Sequence, residues 1–336
     1  MVTVTGVGSW PETDVRTTLL MLREELTDPG DGVSGMPYLP ELPTRGPGAD
    51  MVGRTAHLLV DLPVDLQPQG WRLTPRPGAD AHRTASLWRQ DLDELAEVFS
   101  GWNGTLKLQV SGPWTLASEL WLPMGDRVLR DAGAVRDLVA SLASGIDDHL
   151  TRVQHLLPEA SLVLQVDEPS LPRVLAGEVP SASGYRRLPA PDPEYATAVL
   201  RAQMGAARHA GAVSTVIHCC AEPPPVRTLH ECGPDAIAID TTALSTQAWE
   251  SVATALEAGT TLIAGAMSPN ADPASYRAAH DELLVGWRGV GLPVAQLADV
   301  GVTPACGLAG VSPRQALALT RATVHLAREL AETAAG

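Results

Sequence analysis

His218, Cys220 and Cys306 are the side chains of this 336-residue chain whose types best suit holding a metal ion. His218-Cys219-Cys220 closes a β-branched run, Ser214–Cys219. In an extended chain positions 218 and 220 point to one side and 219 to the other. His218 and Cys220 can therefore share an ion that Cys219 cannot easily join. Cys306 follows a separate β-branched run, and Asp240 ends the run after that of His218. Two thiolates and an imidazole suit Zn²⁺, with Asp240 or a substrate in the fourth tetrahedral position. The same residues also read as ordinary core, because cysteine is among the most buried residue types and His-x-Cys arises by chance.

Asp167-Glu168 ends the apolar run Leu162-Val163-Leu164-Gln165-Val166. Two carboxylates at the end of a buried strand are costly unless solvated, paired or used. One can clamp a substrate ammonium. For Glu168, capping the helix that begins near Ser170 or pairing with an arginine is expected. The other eight histidines fall on helices or loops, where packing or surface roles are expected. Cys232, beside Gly233, reads as the end of a helix.

The charge balance narrows the partners. Lys+Arg is 24 and Asp+Glu is 39, a net charge of −15. So acidic a chain is unsuited to nucleic acid or an anionic membrane, which need clustered cations. Lys107 is the only lysine among those cations. That argues against Schiff-base chemistry, and no G-x-x-x-x-G-K-[ST] phosphate loop is present. Four cysteines make no disulfide framework in a chain this long. No run of 18 apolar residues exists, and the first residues carry neither a basic region nor a long apolar one. A cytoplasmic protein without a signal peptide is the expectation.

These groups need a scaffold. β-branched runs at Val4–Trp10, Gly32–Tyr38, Leu106–Ser111, Leu162–Asp167, Ser214–Cys219, Ala236–Asp240, Thr261–Gly265 and Val300–Thr303 alternate with amphipathic segments. Such alternation is the pattern of a parallel sheet under helices, and eight strands close a (β/α)₈ TIM barrel. The second run has little β-propensity. Val135, Leu138, Val139, Leu142, Ile146, Leu150, Val153 and Leu157 mark one apolar helix face. Ser312-Pro313-Arg314-Gln315 reads as a capping box with proline at the first helical position. Residues 40–84, rich in Pro, Gly and Asp, read as an elaborated βα region within a single domain spanning residues 1–336. Most of the reactive residues then fall at strand C-terminal ends, the mouth where barrels build their sites.

Six short motifs in chain order resemble the C-terminal catalytic barrel of cobalamin-independent methionine synthase, within the wider methionine synthase and uroporphyrinogen decarboxylase-like superfamily. Thr5-Gly6-Val7-Gly8-Ser9-Trp10-Pro11 is similar to the family's I-G-S-F-P, and Asp50-Met51-Val52 to its D-M-V. Ser111-Gly112-Pro113-Trp114-Thr115 resembles T-G-P-x-T, and Gln165-Val166-Asp167-Glu168-Pro169-Ser170-Leu171 resembles Q-I-D-E-P-A-L. Ile217-His218-Cys219-Cys220 looks like a shortened I-H-x-H-x-C, and Thr303-Pro304-Ala305-Cys306-Gly307-Leu308 like N-P-D-C-G-L.

The resemblance implies that His218, Cys220 and Cys306 hold zinc, with Asp240 where the family has a ligating Glu. It also implies that Asp167 takes a substrate amino group and that Ser9 lies at the amino-acid site. The implied activity is zinc-dependent methyl transfer to a thiol, homocysteine, giving methionine. The methyl-folate or methyl-corrinoid donor stays open, a corrinoid carrier being one partner. Three departures stand out. Asp240 is one methylene shorter than Glu. The family's G-E-P-E-R, which supplies a substrate carboxylate, is Arg45-Gly46-Pro47-Gly48-Ala49 here. Its D-I-H-S-P is Ala266-Met267-Ser268-Pro269, without the His. A uroporphyrinogen decarboxylase-like lyase and a non-catalytic thiol- or zinc-binding homologue are the alternatives, and metal content and turnover separate them.

Overall fold

The computed structural model describes residues 1–336. Ten strands occur in chain order: β1 (Val2–Val4), β2 (Val33–Gly35), β3 (Val64–Gln67), β4 (Gly70–Leu73), β5 (Thr105–Ser111), β6 (Ser161–Asp167), β7 (Ser214–Cys219), β8 (Ala236–Asp240), β9 (Thr261–Met267) and β10 (Gly301–Pro304). Eight of them form one parallel sheet in the order β2-β1-β10-β9-β8-β7-β6-β5. Beyond β2 the chain reaches β5: Lys107 N donates to Pro37 O (2.8 Å), Leu39 N donates to Lys107 O (3.1 Å), and Tyr38 bridges Lys107 in parallel. The sheet curls round on itself as a (β/α)₈ TIM barrel.

All eight expected strands are present, with revised bounds. The first is Val2–Val4 rather than Val4–Trp10. Gly6 and Gly8 interrupt the ladder, although Ser9 still forms a parallel bridge with Glu41. The second is only Val33–Gly35, because Pro37 and Pro40 have no N–H to give to a ladder. Residues 40–84 contain a hairpin the hydrophobic pattern did not reveal, β3 paired antiparallel with β4.

The strands explain their own composition. Along β6, Leu162, Leu164 and Val166 face the helices, while Val163, Gln165 and Asp167 face the barrel axis. On β7, Ile217 and Cys219 face out, and Val216 and His218 face in. Both faces are buried, as a parallel sheet under helices requires. The inner face is apolar at its base, where Met36, Val163, Val216, Ala236, Ala238 and Ile263 cluster, and polar towards the strand ends.

The helices are α1 (Val15–Leu26), α2 (Met51–His57), α3 (Ala79–Val98), α4 (Pro113–Glu119), α5 (Ala132–Leu156), α6 (Leu171–Leu175), α7 (Pro193–His209), α8 (Val226–Glu231), α9 (Thr246–Glu257), α10 (Tyr276–Gly289) and α11 (Pro313–Ala335). The expected apolar face of α5 is buried at Val135, Leu138, Leu142, Ile146, Leu150 and Val153. On α11 Ser312 Oγ accepts from Gln315 N, but the Gln315 side chain donates to Ala271 O and leaves the box half made. Cys232 ends α8 as expected. No helix is long and apolar enough to cross a membrane.

Candidate functional site at the barrel mouth

Asp167, His218 and Asp240 sit at strand C-terminal ends, and Cys220 and Cys306 follow β7 and β10 within two residues. Ser9 is drawn to the Cys306 loop. Leu308 N donates to Ser9 O (2.9 Å) and Ala309 N to Ser9 Oγ (3.4 Å). A Cβ on Gly307 would lie 2.1 Å from Ser9 Oγ, so that position admits only glycine without rearrangement. The barrel thus gathers all six expected residues at one mouth.

Among them, His218 is the most constrained. It is 3% exposed, and its Nδ1 lies 3.1 Å from Ala238 O, an acceptor that sets the proton on Nδ1. Nε2 is buried with no hydrogen-bond partner. Burial, then the positive Lys107, pull the imidazole down to about 4, so it is neutral and presents a lone pair. Cys220 and Cys306 are neighbours, and the titrations of their thiols are linked. The pairing with Cys220 holds the Cys306 thiol below its usual range, while the same pairing and burial push Cys220 up. Cys219 faces the outer core, fully buried, as the alternation of the strand predicts.

Asp240 is engaged elsewhere. Its Oδ1 accepts from Thr242 N (2.9 Å) and Thr242 Oγ1 (2.7 Å) in a turn of its own loop. No three His, Cys, Asp or Glu side chains are gathered as a group able to hold a metal. The structure therefore brings together a thiol pair and leaves an imidazole nitrogen free, without uniting the expected four donors.

The carboxylates are arranged more tightly. Asp167, 4% exposed, accepts from Gln165 Nε2 at 2.7 Å. Burial, then the negative Glu41, push it well above the usual carboxylate range, against the pull of Lys107 and Gln165. Glu41 is a residue that sequence reasoning missed. It is 4% exposed, pairs through its backbone with Ser9, and has Oε1 buried without a partner. Burial raises it, and Arg54 and Lys107 oppose the rise. Gln109 was also missed. Its Nε2 donates to Leu39 O (2.6 Å) while Oε1 is buried and unpaired. A signal was available: Lys107, Gln109 and Ser111 alternate along β5, as Gln165 and Asp167 do along β6, which places polar groups on the inner face.

Glu168 does cap a helix, but not the one expected. It accepts from Trp114 N (2.9 Å), Thr115 N (2.8 Å) and Thr115 Oγ1 (2.7 Å), so it caps α4 rather than the helix after Ser170, and it pairs with no arginine. Burial carries its carboxyl up to about 7 despite these bonds. A Cβ on Gly112 would lie 2.2 Å from Glu168 Oε1, which explains the glycine there.

This is the architecture of an α/β barrel with a polar, partly unsatisfied mouth. No protein-family model matches the chain, and no curated protein matches its sequence. Among solved structures it is similar to a putative vitamin-B12-independent methionine synthase from Listeria monocytogenes, with 14% identity, a TM-score of 0.52 and 98% of each chain covered. It also aligns with a B12-independent methionine synthase from Shewanella sp. W3-18-1, solved with selenomethionine. There the identity is 12% and the TM-score 0.49, over 72% of this chain and 66% of that one. At such identities the likeness to the Listeria protein is one of fold.

Proposed function

We propose that the chain is a zinc-dependent methyltransferase that methylates a thiol, homocysteine, to give methionine. The observation that carries this reading is the unpartnered Nε2 of a neutral His218 at the mouth that holds the Cys220–Cys306 pair. A buried lone pair without a donor costs about 1–3 kcal/mol, and one at a mouth that also carries two thiols suits a thiophilic cation. His218, Cys220 and Cys306 would hold Zn²⁺, and Asp240 would join only by releasing Thr242. When bound, zinc makes a substrate thiol a thiolate at neutral pH.

The chain's own groups do the rest. Ala238 O fixes the imidazole so that Nε2, not Nδ1, is presented. Asp167 and the unpaired Glu41 Oε1 take the substrate ammonium, Glu41 standing in for the carboxylate absent from residues 45–49. Burial raises both carboxylates, and Glu41 raises Asp167 further, so a cation beside them is favoured. Ser9 borders the same space. The donor is a methyl-folate or a methyl-corrinoid.

The lyase alternative is poorly supported. An anionic tetrapyrrole would meet Glu41 and Asp167, while Lys107 directs its hydrogen bonds inward. The deciding experiment measures zinc in the purified protein and then assays it with homocysteine against methyl-folates and methylcobalamin. Zinc near one equivalent with methionine formed supports the reading. Zinc and homocysteine binding with no turnover on any donor would favour the non-catalytic homologue instead.

A further inference from the structure

Lys107 lies on β5 with no exposed surface, and its Cα is in register with Val163 of the apolar base of the barrel. An ammonium has three donors and no acceptor. Nζ donates to Val7 O (2.9 Å) and to Gln165 Oε1 (2.8 Å), and lies 5.0 Å from the centre of the Tyr38 ring. Its bonding capacity is used within the fold, so Lys107 is not a ligand contact. A buried cation is expensive, and methionine would fill much of the same volume at lower cost.

Gln165 is equally committed. Its Oε1 takes the lysine, and Nε2 donates to Val7 O (2.8 Å) and Asp167 Oδ1 (2.7 Å). A flipped amide would set its oxygen against a carbonyl and a carboxylate and its NH₂ against an ammonium. The amide orientation is therefore fixed from three sides. Asp167 Oδ1 is occupied as a result, and the protein gives no hydrogen bond to its other oxygen. Val7, which receives both donors, stands two residues before Ser9.

We propose that Lys107 and Gln165 are positioning residues, holding Asp167 and the Val7–Ser9 segment in the relative placement that recognises the substrate's amino group. The proposal rests on the amino-acid reading of the site given above. Lys107 acts through Gln165 on Asp167, and through the Val7 carbonyl on the segment that follows β1. Its effect should then be confined to ligands that carry an ammonium.

The test compares binding of homocysteine and of 4-mercaptobutanoate, the same thiol acid without the amino group, to zinc-loaded protein. Wild type, Lys107→Met and Gln165→Met are measured by calorimetry, with zinc content recorded alongside. Wild type should prefer homocysteine. Each variant should lose that preference at least tenfold, with zinc content and 4-mercaptobutanoate binding unchanged. Should Lys107→Met fail to fold, Gln165→Met breaks the same chain at its other link without removing a charge. Variants that keep the preference, or lose both ligands alike, overturn the positioning role and leave the amino-acid reading standing. A wild type indifferent to the amino group overturns both.

Discussion

Glu168 is bonded twice to Thr115, 53 residues earlier in the chain, once to its backbone N–H and once to its hydroxyl. With the Trp114 N–H this makes three donors on one buried carboxylate, all at the first turn of α4. The end of β6 thereby fixes the helix that follows β5. Glu168→Ala should strand those donors and open a cavity, costing about 2–4 kcal/mol. Urea unfolding at neutral pH checks this. A loss below about 0.5 kcal/mol would mean that the cap contributes little.

Zinc retention should separate the two adjacent cysteines. Cys306→Ser is expected to lower bound zinc sharply, whereas Cys219→Ser, which changes a side chain facing the outer core, should leave it near wild type. Metal analysis of the purified variants decides. Equal loss in both would remove the assignment of Cys220 over Cys219.

Asp167→Asn should weaken homocysteine binding by ten- to a thousandfold, since a substrate ammonium would lose a charged partner in a buried site. Zinc content should hold. If the variant binds homocysteine as tightly as wild type, the acceptor is not held through its amino group. Glu41→Gln should weaken the same ligand in the same sense, and an unchanged affinity would show that Glu41 supplies no anchor.

His149 should contribute to the acid response. It is 3% exposed, packs against Trp88 with ring centres 4.8 Å apart, and has Nδ1 unpaired. Burial, then Arg54 and Arg152, pull it down to about 3. Its folded value lies below its unfolded value of 6.5, so the unfolded chain binds the extra proton. The associated stability is present above 6.5 and lost as pH falls towards 3, at about 1.4 kcal/mol per unit. Between pH 6.5 and 4.5, wild type should lose about 2–3 kcal/mol more than His149→Gln. Parallel loss in the two proteins would count against this origin.

The barrel was legible because its strands are buried on both faces and its helices on one, so periodicity reports them directly. The hairpin β3–β4 was not, because Val64-Asp65-Leu66-Gln67 and Gly70-Trp71-Arg72-Leu73 are short and flanked by prolines that read as loop. Asp167 was legible as a carboxylate ending an apolar run. Glu41 was hidden, because it follows a three-residue strand between two prolines, Pro40 and Pro43, and only the closed barrel brings it beside Ser9. Asp240 was read from its position on a strand end. Position could not reveal that Thr242, two residues on, offers its carboxylate two donors.

The ring of strands joins on itself through few bonds. Seven neighbouring registered positions bind β5 to β6, but from β5 to the segment after β2 only the two backbone bonds of Lys107 and the Gln109 side-chain bond to Leu39 O cross. Local opening there breaks few bonds, and its free energy should lie well below that of global unfolding. In deuterated water the Leu39 amide should then exchange ahead of the Leu164 amide at the centre of β6. The lysine at that seam holds Gln165 through its ammonium, so opening of the seam should also disturb the placement of Asp167.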